Sequence, residues 1–405
     1  MKNIYFTYIL VLLFILGIKA KAINEIEEED ELVNAIESDK EEEINLSEND
    51  DDNIINNVVD EVVNVVKEIF NNNDNDIEIE DEIDSDVDSD IEEEMETPTE
   101  TEIPTETEIP DTYEAALEFY ENYENIARNI TYNNDGKTLD VYYNPLDTNT
   151  KKPVNIYIFG GSWVSNEKVK FTRLGALLER EDHIGVIPNY VLYPNGLFED
   201  MVDNVYQTIQ WTYNNIEQYG GDKDNITITG HSSGAHLVAL TIIKAGLGIE
   251  NNGVKLEPLP YLKRVILLNG PYIFNQEFIV YTLGGSNDTS NATSTDDPKE
   301  QALLTELIGI YFDNDEVSPI QILKKMENDS VKDHFNVEKF TFVYTSEDII
   351  IPEFSAKELI TEIIRTSPSQ YEYIYLQGLD HSSIINGVIT EKDEFENLYM
   401  DIITK

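Results

Sequence analysis

Ile226-Thr227-Ile228-Thr229-Gly230-His231-Ser232-Ser233-Gly234-Ala235-His236 is a β-branched run that passes through Gly-x-Ser-x-Gly straight into an apolar, helix-length stretch ending at Ala245 and Gly246. A side chain held out on so sharp a strand-to-helix turn needs near-absent side chains around it. Gly230 and Gly234 therefore leave Ser232 exposed at the carboxyl edge of a sheet. There the first N–H groups and the dipole of the following helix favour negative charge. The segment predicts a nucleophile elbow. The bland alternative is a strand-turn-helix in which Ser232 or Ser233 merely caps the helix.

Working outward, similar β-branched or aromatic runs recur at Leu139–Tyr143, Val154–Phe159, Ile184–Asn189, Val265–Leu268, Phe340–Tyr344 and Tyr373–Leu376. Helix-length stretches separate them, such as Val202–Tyr219, which stops at Gly220-Gly221. Tyr113–Arg128 also carries helical periodicity. Strands alternating with helices predict an α/β fold with a mostly parallel central sheet and helices on both faces.

A nucleophilic serine needs a base, and the base needs an orienting carboxylate, arriving later in the chain with the acid first. Two histidines follow the elbow segment, His334 and His381. His381 comes just after the run Tyr373–Leu376, at the sheet edge where Ser232 is expected, whereas His334 precedes a strand. His381 is the predicted base. For the acid, Glu347 and Asp348 both stand at the exit of Phe340–Tyr344. The strand Val154–Phe159 exits into Gly160-Gly161-Ser162-Trp163, where backbone N–H groups can approach a developing oxyanion. The predicted donors are Gly161, Ser162 and Ser233, with Trp163 packing beneath the loop. His231 and His236 are five residues apart with no third ligand type nearby, so no metal site is expected. The stretch from Gly270 to Asn328 is expected to form a small cap insertion, with Tyr272, Phe274, Phe278 and Tyr281 contacting substrate.

Charge divides the 405-residue chain. Its net −54 comprises +3 over residues 1–22, −35 over 23–112 and −22 over 113–405. The acidic block has one aromatic residue, Phe70, and buries too little apolar surface to offset its ordering entropy, so residues 23–96 are expected to be disordered. Ile55–Phe70 could form a transient amphipathic helix there. The run Asp84–Asp90 lacks the glycine and closing glutamate of a calcium loop. Residues 97–112 contain two copies of Thr-Glu-Thr-Glu-Ile-Pro and read as a stiff linker. Lys2, the apolar run Ile4–Ile18 and Ala20-Lys21-Ala22 read as a signal peptide over residues 1–22, implying a secreted or lumenal protein. A membrane association follows only if that segment stays uncleaved. Sequons at Asn45, Asn129, Asn225, Asn287, Asn291 and Asn328 are compatible with a secreted glycoprotein. So acidic a chain offers no basic face for nucleic acid, and zero cysteines exclude disulfides and a thiol nucleophile.

Together, Phe159-Gly-Gly-Ser-Trp163, Asn189-Tyr190 with Tyr193-Pro194, Tyr219-Gly-Gly-Asp222, Gly230-His-Ser-Ser-Gly-Ala-His236, Asp348 through Pro352 and His381 occur in the order of the α/β-hydrolase carboxylesterases. Over residues 130–395 the chain resembles their isoprenylcysteine α-carbonyl methylesterase-like and kynurenine formamidase-like branch. The resemblance selects Asp348 as the acid, through the Asp-x-x-x-Pro spacing to Pro352. It implies a Ser232–Asp348–His381 triad, no metal or organic cofactor, and a small-molecule ester substrate cleaved through an acyl-enzyme. An amidase or formamidase with the same triad is the alternative, and a non-catalytic binding module is the rival from another class. The chain departs from many relatives in having Phe159 where they carry histidine, and Asn189-Tyr190-Val191 where they often read Asp-Tyr-Arg.

Overall fold

The computed structural model describes residues 112–275, 278, 297–311 and 314–405. The expected leader (1–22), acidic region (23–96), all but the last residue of the linker (97–112), Tyr281 and the sequons at Asn45, Asn287 and Asn291 lie outside the described residues.

The β-branched runs become strands of one sheet. They are β1 (Ile126–Thr131), β2 (Thr138–Tyr142), β3 (Lys152–Ile158), β4 (Ile184–Pro188) and β5 (Gly221–His231), then, after a short hairpin of β6 (Glu250–Asn251) and β7 (Val254–Lys255), β8 (Arg264–Leu268), β9 (Lys339–Thr345) and β10 (Gln370–Leu376). Their order is β1-β2-β4-β3-β5-β8-β9-β10. β1 and β2 are antiparallel to their neighbours, and all pairings from β4 to β10 are parallel. A parallel sheet needs a crossover between successive strands. Helix α1 (Tyr113–Asn122) precedes β1; the crossovers are supplied by α2 (Thr172–Arg180), α3 (Phe198–Asn215), α4 (Ser233–Leu247), α5 (Pro298–Ile310) with α6 (Pro319–Lys324), and α7 (Glu353–Thr366); α8 (Ser383–Ile389) and α9 (Asp393–Thr404) follow β10.

Alternation along β3 shows both faces covered. Asn155 meets Tyr399 of α9 and Tyr157 packs its ring against Phe171, just before α2. Val154 instead lies beside Gly221 and Ile216, at the end of α3. Because both faces are covered, β3, β4 and the distal half of β5 are almost wholly buried, which is why they read as continuous rather than alternating apolar runs.

One expected helix is shorter than its periodicity. Tyr113–Arg128 is helical only to Asn122, and Ile126–Thr131 is an edge strand paired with β2. The reason is tertiary. The Arg128 guanidinium donates to the Tyr120 and Tyr123 carbonyls, closing the helix end, while the ladder with β2 takes up the backbone that follows.

Candidate active site

The elbow is a steric device. Ser232 has φ 53° and ψ −124°, outside the regions that ordinary residues populate. Its N–H donates to the Leu268 carbonyl at the end of β8 (2.9 Å), and its carbonyl accepts from Ala235 N (2.9 Å) and His236 N (3.2 Å), starting α4. A Cβ on Gly234 would sit 2.2 Å from the Ile158 carbonyl oxygen. The Gly-x-Ser-x-Gly pattern is therefore required by helix-on-strand contact as well as by the turn.

The other two members come from the ends of β9 and β10. The His381 Nδ1–H donates to Asp348 Oδ2 (2.7 Å), and the Ser232 hydroxyl donates to His381 Nε2 (2.8 Å). Asp348 is 3% exposed. Its other oxygen accepts from Ile350 N (2.9 Å) and Ile351 N (2.8 Å), so three N–H donors converge on this carboxylate. Glu347 is exposed. Asp380, beside the imidazole, is exposed and turned to Ser382 N and Ser383 Oγ.

The loop after β3 lies against the nucleophile, since a Cβ on Gly160 would stand 2.9 Å from Ser232 Cβ. Gly161, Ser162 and Trp163 have φ of 135°, 52° and 63°. The Gly160 carbonyl accepts from Asn166 Nδ2 (2.9 Å), and the Gly161 carbonyl accepts from Val164 N, Ser165 N and Ser165 Oγ. Across a planar trans peptide the next N–H points opposite to the carbonyl. Both carbonyls turn into the loop, so the N–H groups of Gly161 and Ser162 turn outward. Ser233 is the first residue of α4, a position with no acceptor within the helix. Of the three expected donors, Ser233 directly follows Ser232, and Gly161 and Ser162 directly follow the glycine that lies against it.

His236 ties this loop to the cap region. Its Nδ1 accepts from Trp163 Nε1 (3.2 Å), and its Nε2–H donates to the Val317 carbonyl (2.8 Å). Burial pushes His236 down to about 4, and burial together with the neighbouring His381 does the same to His231. Unfolded histidines titrate near 6.5, so between those values the unfolded chain binds protons that the folded chain refuses. Stability is then present above about pH 6.5 and is lost as pH falls toward 4. Urea unfolding at pH 7 and pH 5 should show a loss that is smaller in His236→Gln by on the order of 2 kcal/mol. Equal losses in both proteins would refute the buried neutral imidazole.

Two expected substrate contacts need correction. Tyr272 is 0% and Phe274 2% exposed. Tyr272 sets its ring edge against Phe342, its hydroxyl lies beside Gly270, and its backbone bonds to Ser318 and Ser355. Phe274 packs among Trp163, Phe198 and His236. Both rings are core, because the chain leaving β8 turns inward beneath the site. Phe278 is likewise buried. The departures from the usual motifs are absorbed by packing. Phe159 stacks on Tyr190 and Phe171. The Asn189 side chain accepts from Lys168 N (2.7 Å), and Val191 packs against Gly196. Lys168 Nζ in turn meets buried Asp140 at 2.7 Å, anchoring the segment that follows the loop after β3.

Residues 139–334 match the BD-FAE family model. A thermostable esterase from Pseudomonas putida superposes with a TM-score of 0.53 at 15% identity, covering 69% of this chain and 80% of that one. An esterase from Lactobacillus rhamnosis gives 0.52 at 17% identity, covering 69% and 84%. The protein has the α/β-hydrolase fold. Within that fold its sequence is similar to a probable isoprenylcysteine alpha-carbonyl methylesterase of Arabidopsis thaliana (35% identity over 120 residues, 29% of this chain and 25% of that protein). It is also similar to an esterase of Mycobacterium tuberculosis (35% over 132 residues, 31% of each). The aligned part spans from about a quarter to about three fifths of the curated relatives' length.

Proposed function

We propose that the protein is a serine carboxylic-ester hydrolase acting on a small ester. The observation that carries this reading is the pair of hydrogen bonds at 2.8 and 2.7 Å that joins Ser232 to His381 and His381 to Asp348. Ser232 Oγ attacks the substrate carbonyl while His381 Nε2 takes its proton. Asp348 orients the ring and stabilises the imidazolium, and the N–H groups of Gly161, Ser162 and Ser233 receive the oxyanion. His381 then protonates the leaving alcohol. Water, deprotonated by the same imidazole, releases the acid from Ser232.

The names of the sequence relatives support an ester over an amide substrate. The test is labelling of the purified chain by a fluorophosphonate, with parallel turnover of p-nitrophenyl acetate, a prenylcysteine methyl ester and an N-formyl amide. Preference for the formyl amide would make the protein a formamidase. A folded protein that neither labels nor turns over any of the three would be a binding module on this fold. A Cβ on Gly161 would lie 2.5 Å from the Ser165 carbonyl oxygen, so Gly161→Ala should displace the donor loop and lower kcat by about 10² to 10³. Unchanged kcat would remove this loop from the mechanism.

We also propose a secretory route, with residues 1–22 removed and the acidic block serving as a soluble stalk, supported by the composition set out above. N-terminal sequencing of the secreted chain tests the cleavage. Deleting residues 23–110 should leave turnover of small esters nearly unchanged, and a large fall would mean that the stalk contributes to the site.

A further inference from the structure

The elbow's steric demands explain its glycines and say nothing about the residue between Gly230 and Ser232. That residue, His231, is buried, and its Nε2–H donates to the backbone carbonyl of His381 (2.9 Å), 150 positions away. Its ring centroid lies 5.1 Å from that of His381. Its Nδ1 faces Gly160, 3.2 Å from where a Cβ would stand. The same His381 carbonyl receives Asn269 Nδ2 at 3.4 Å, and that amide also donates to Thr345 Oγ1 (2.5 Å). Asn269 is buried at the end of β8 with φ 46°.

We propose that His231 and Asn269 are positioning residues, holding the main chain of His381 so that its imidazole spans Ser232 and Asp348. The inference rests on the hydrolase reading above and adds the means by which its base is aimed. His381 sits in a loop, five residues past the end of β10, and a loop by itself fixes a ring poorly. A buried carbonyl requires donors, and here they come from the end of β5, the strand that carries the nucleophile, and from the end of its neighbour β8. The remaining ties of the loop run to the acid's side: Gly378 N donates to Ser346 Oγ (2.8 Å) and Glu347 N to the Leu379 carbonyl (2.9 Å). The base loop is therefore fastened to the elbow through His231 and Asn269 and to the Asp348 loop through Leu379. Losing the first fastening frees the ring to drift from Ser232 while leaving the substrate pocket in place.

The test compares His231→Phe, which keeps a planar ring and removes the donor, with His231→Gln, which keeps an N–H near the same place, and with Asn269→Ala. All are made in the full chain and assayed on p-nitrophenyl acetate, with folding followed by circular dichroism. For His231→Phe the expected result is a fall in kcat of about tenfold to a hundredfold with KM within about threefold, since misplacing a catalytic group by around 1 Å costs that much. His231→Gln should recover most of the loss, and the fluorophosphonate labelling rate should fall in step with kcat. If His231→Phe does not fold, Asn269→Ala decides by the same kcat-against-KM criterion. A folded His231→Phe with wild-type kcat, or a His231→Gln as slow as His231→Phe, overturns the proposal while leaving the hydrolase reading intact. A wild-type chain that neither labels nor turns over ester overturns both.

Discussion

The Ser232→Ala variant is expected to lose fluorophosphonate labelling altogether and to retain about 10⁻⁴ to 10⁻⁶ of wild-type kcat on p-nitrophenyl acetate. The Ser232 oxygen is hydrogen-bonded to the His381 imidazole and is the proposed nucleophile. Its removal leaves the donors and the pocket, and those alone sustain a small residual rate. Stability should change little. Among the described residues the hydroxyl bonds to His381, and the elbow's strain belongs to the backbone, which alanine inherits. A Ser232→Ala protein that still hydrolyses ester at more than about a hundredth of the wild-type rate would show that the nucleophile lies elsewhere.

The Asp348→Asn variant should fall by about 10⁴ in kcat with KM little altered. Both oxygens of Asp348 accept, one from His381 Nδ1–H and the other from the amides of Ile350 and Ile351. A carboxamide has only one acceptor oxygen. If its NH₂ faces the two backbone amides, donors confront donors in a buried site. If it faces Nδ1, the imidazole must move its proton to Nε2 and can no longer accept from Ser232. The second arrangement wins, because two unsatisfied backbone N–H groups cost more than a tautomer change. Activity within tenfold of wild type would mean that Asp348 does not orient the base.

Much of the fold was legible because it rests on local rules. Runs buried on both sides read as parallel strands, and the elbow announces itself through glycines that leave no room for a side chain. β1 was missed because its residues fit a helical period as well as an edge strand, and only pairing with β2 chooses between them. Tyr272 and Phe274 were read as pocket aromatics because they follow a strand exit in the stretch expected to form a cap. Nothing local distinguishes an aromatic that lines a cavity from one that fills the core. The contact made by His231 carried no local signal, since its partner is a backbone atom in a loop 150 residues later.

By itself the sequence determined the α/β class, the elbow at Ser232 and the strand exits at which Glu347, Asp348 and His381 stand, because these follow from sterics and periodicity within a few residues. The tertiary structure decided that His381 Nδ1 meets Asp348, the acid selected by the family resemblance, that the Gly161 and Ser162 amides turn outward, and that the His381 carbonyl meets His231 and Asn269. Each of these depends on how distant strand ends are brought to one rim, and that arrangement is set by sheet register and loop closure rather than by any neighbouring residue.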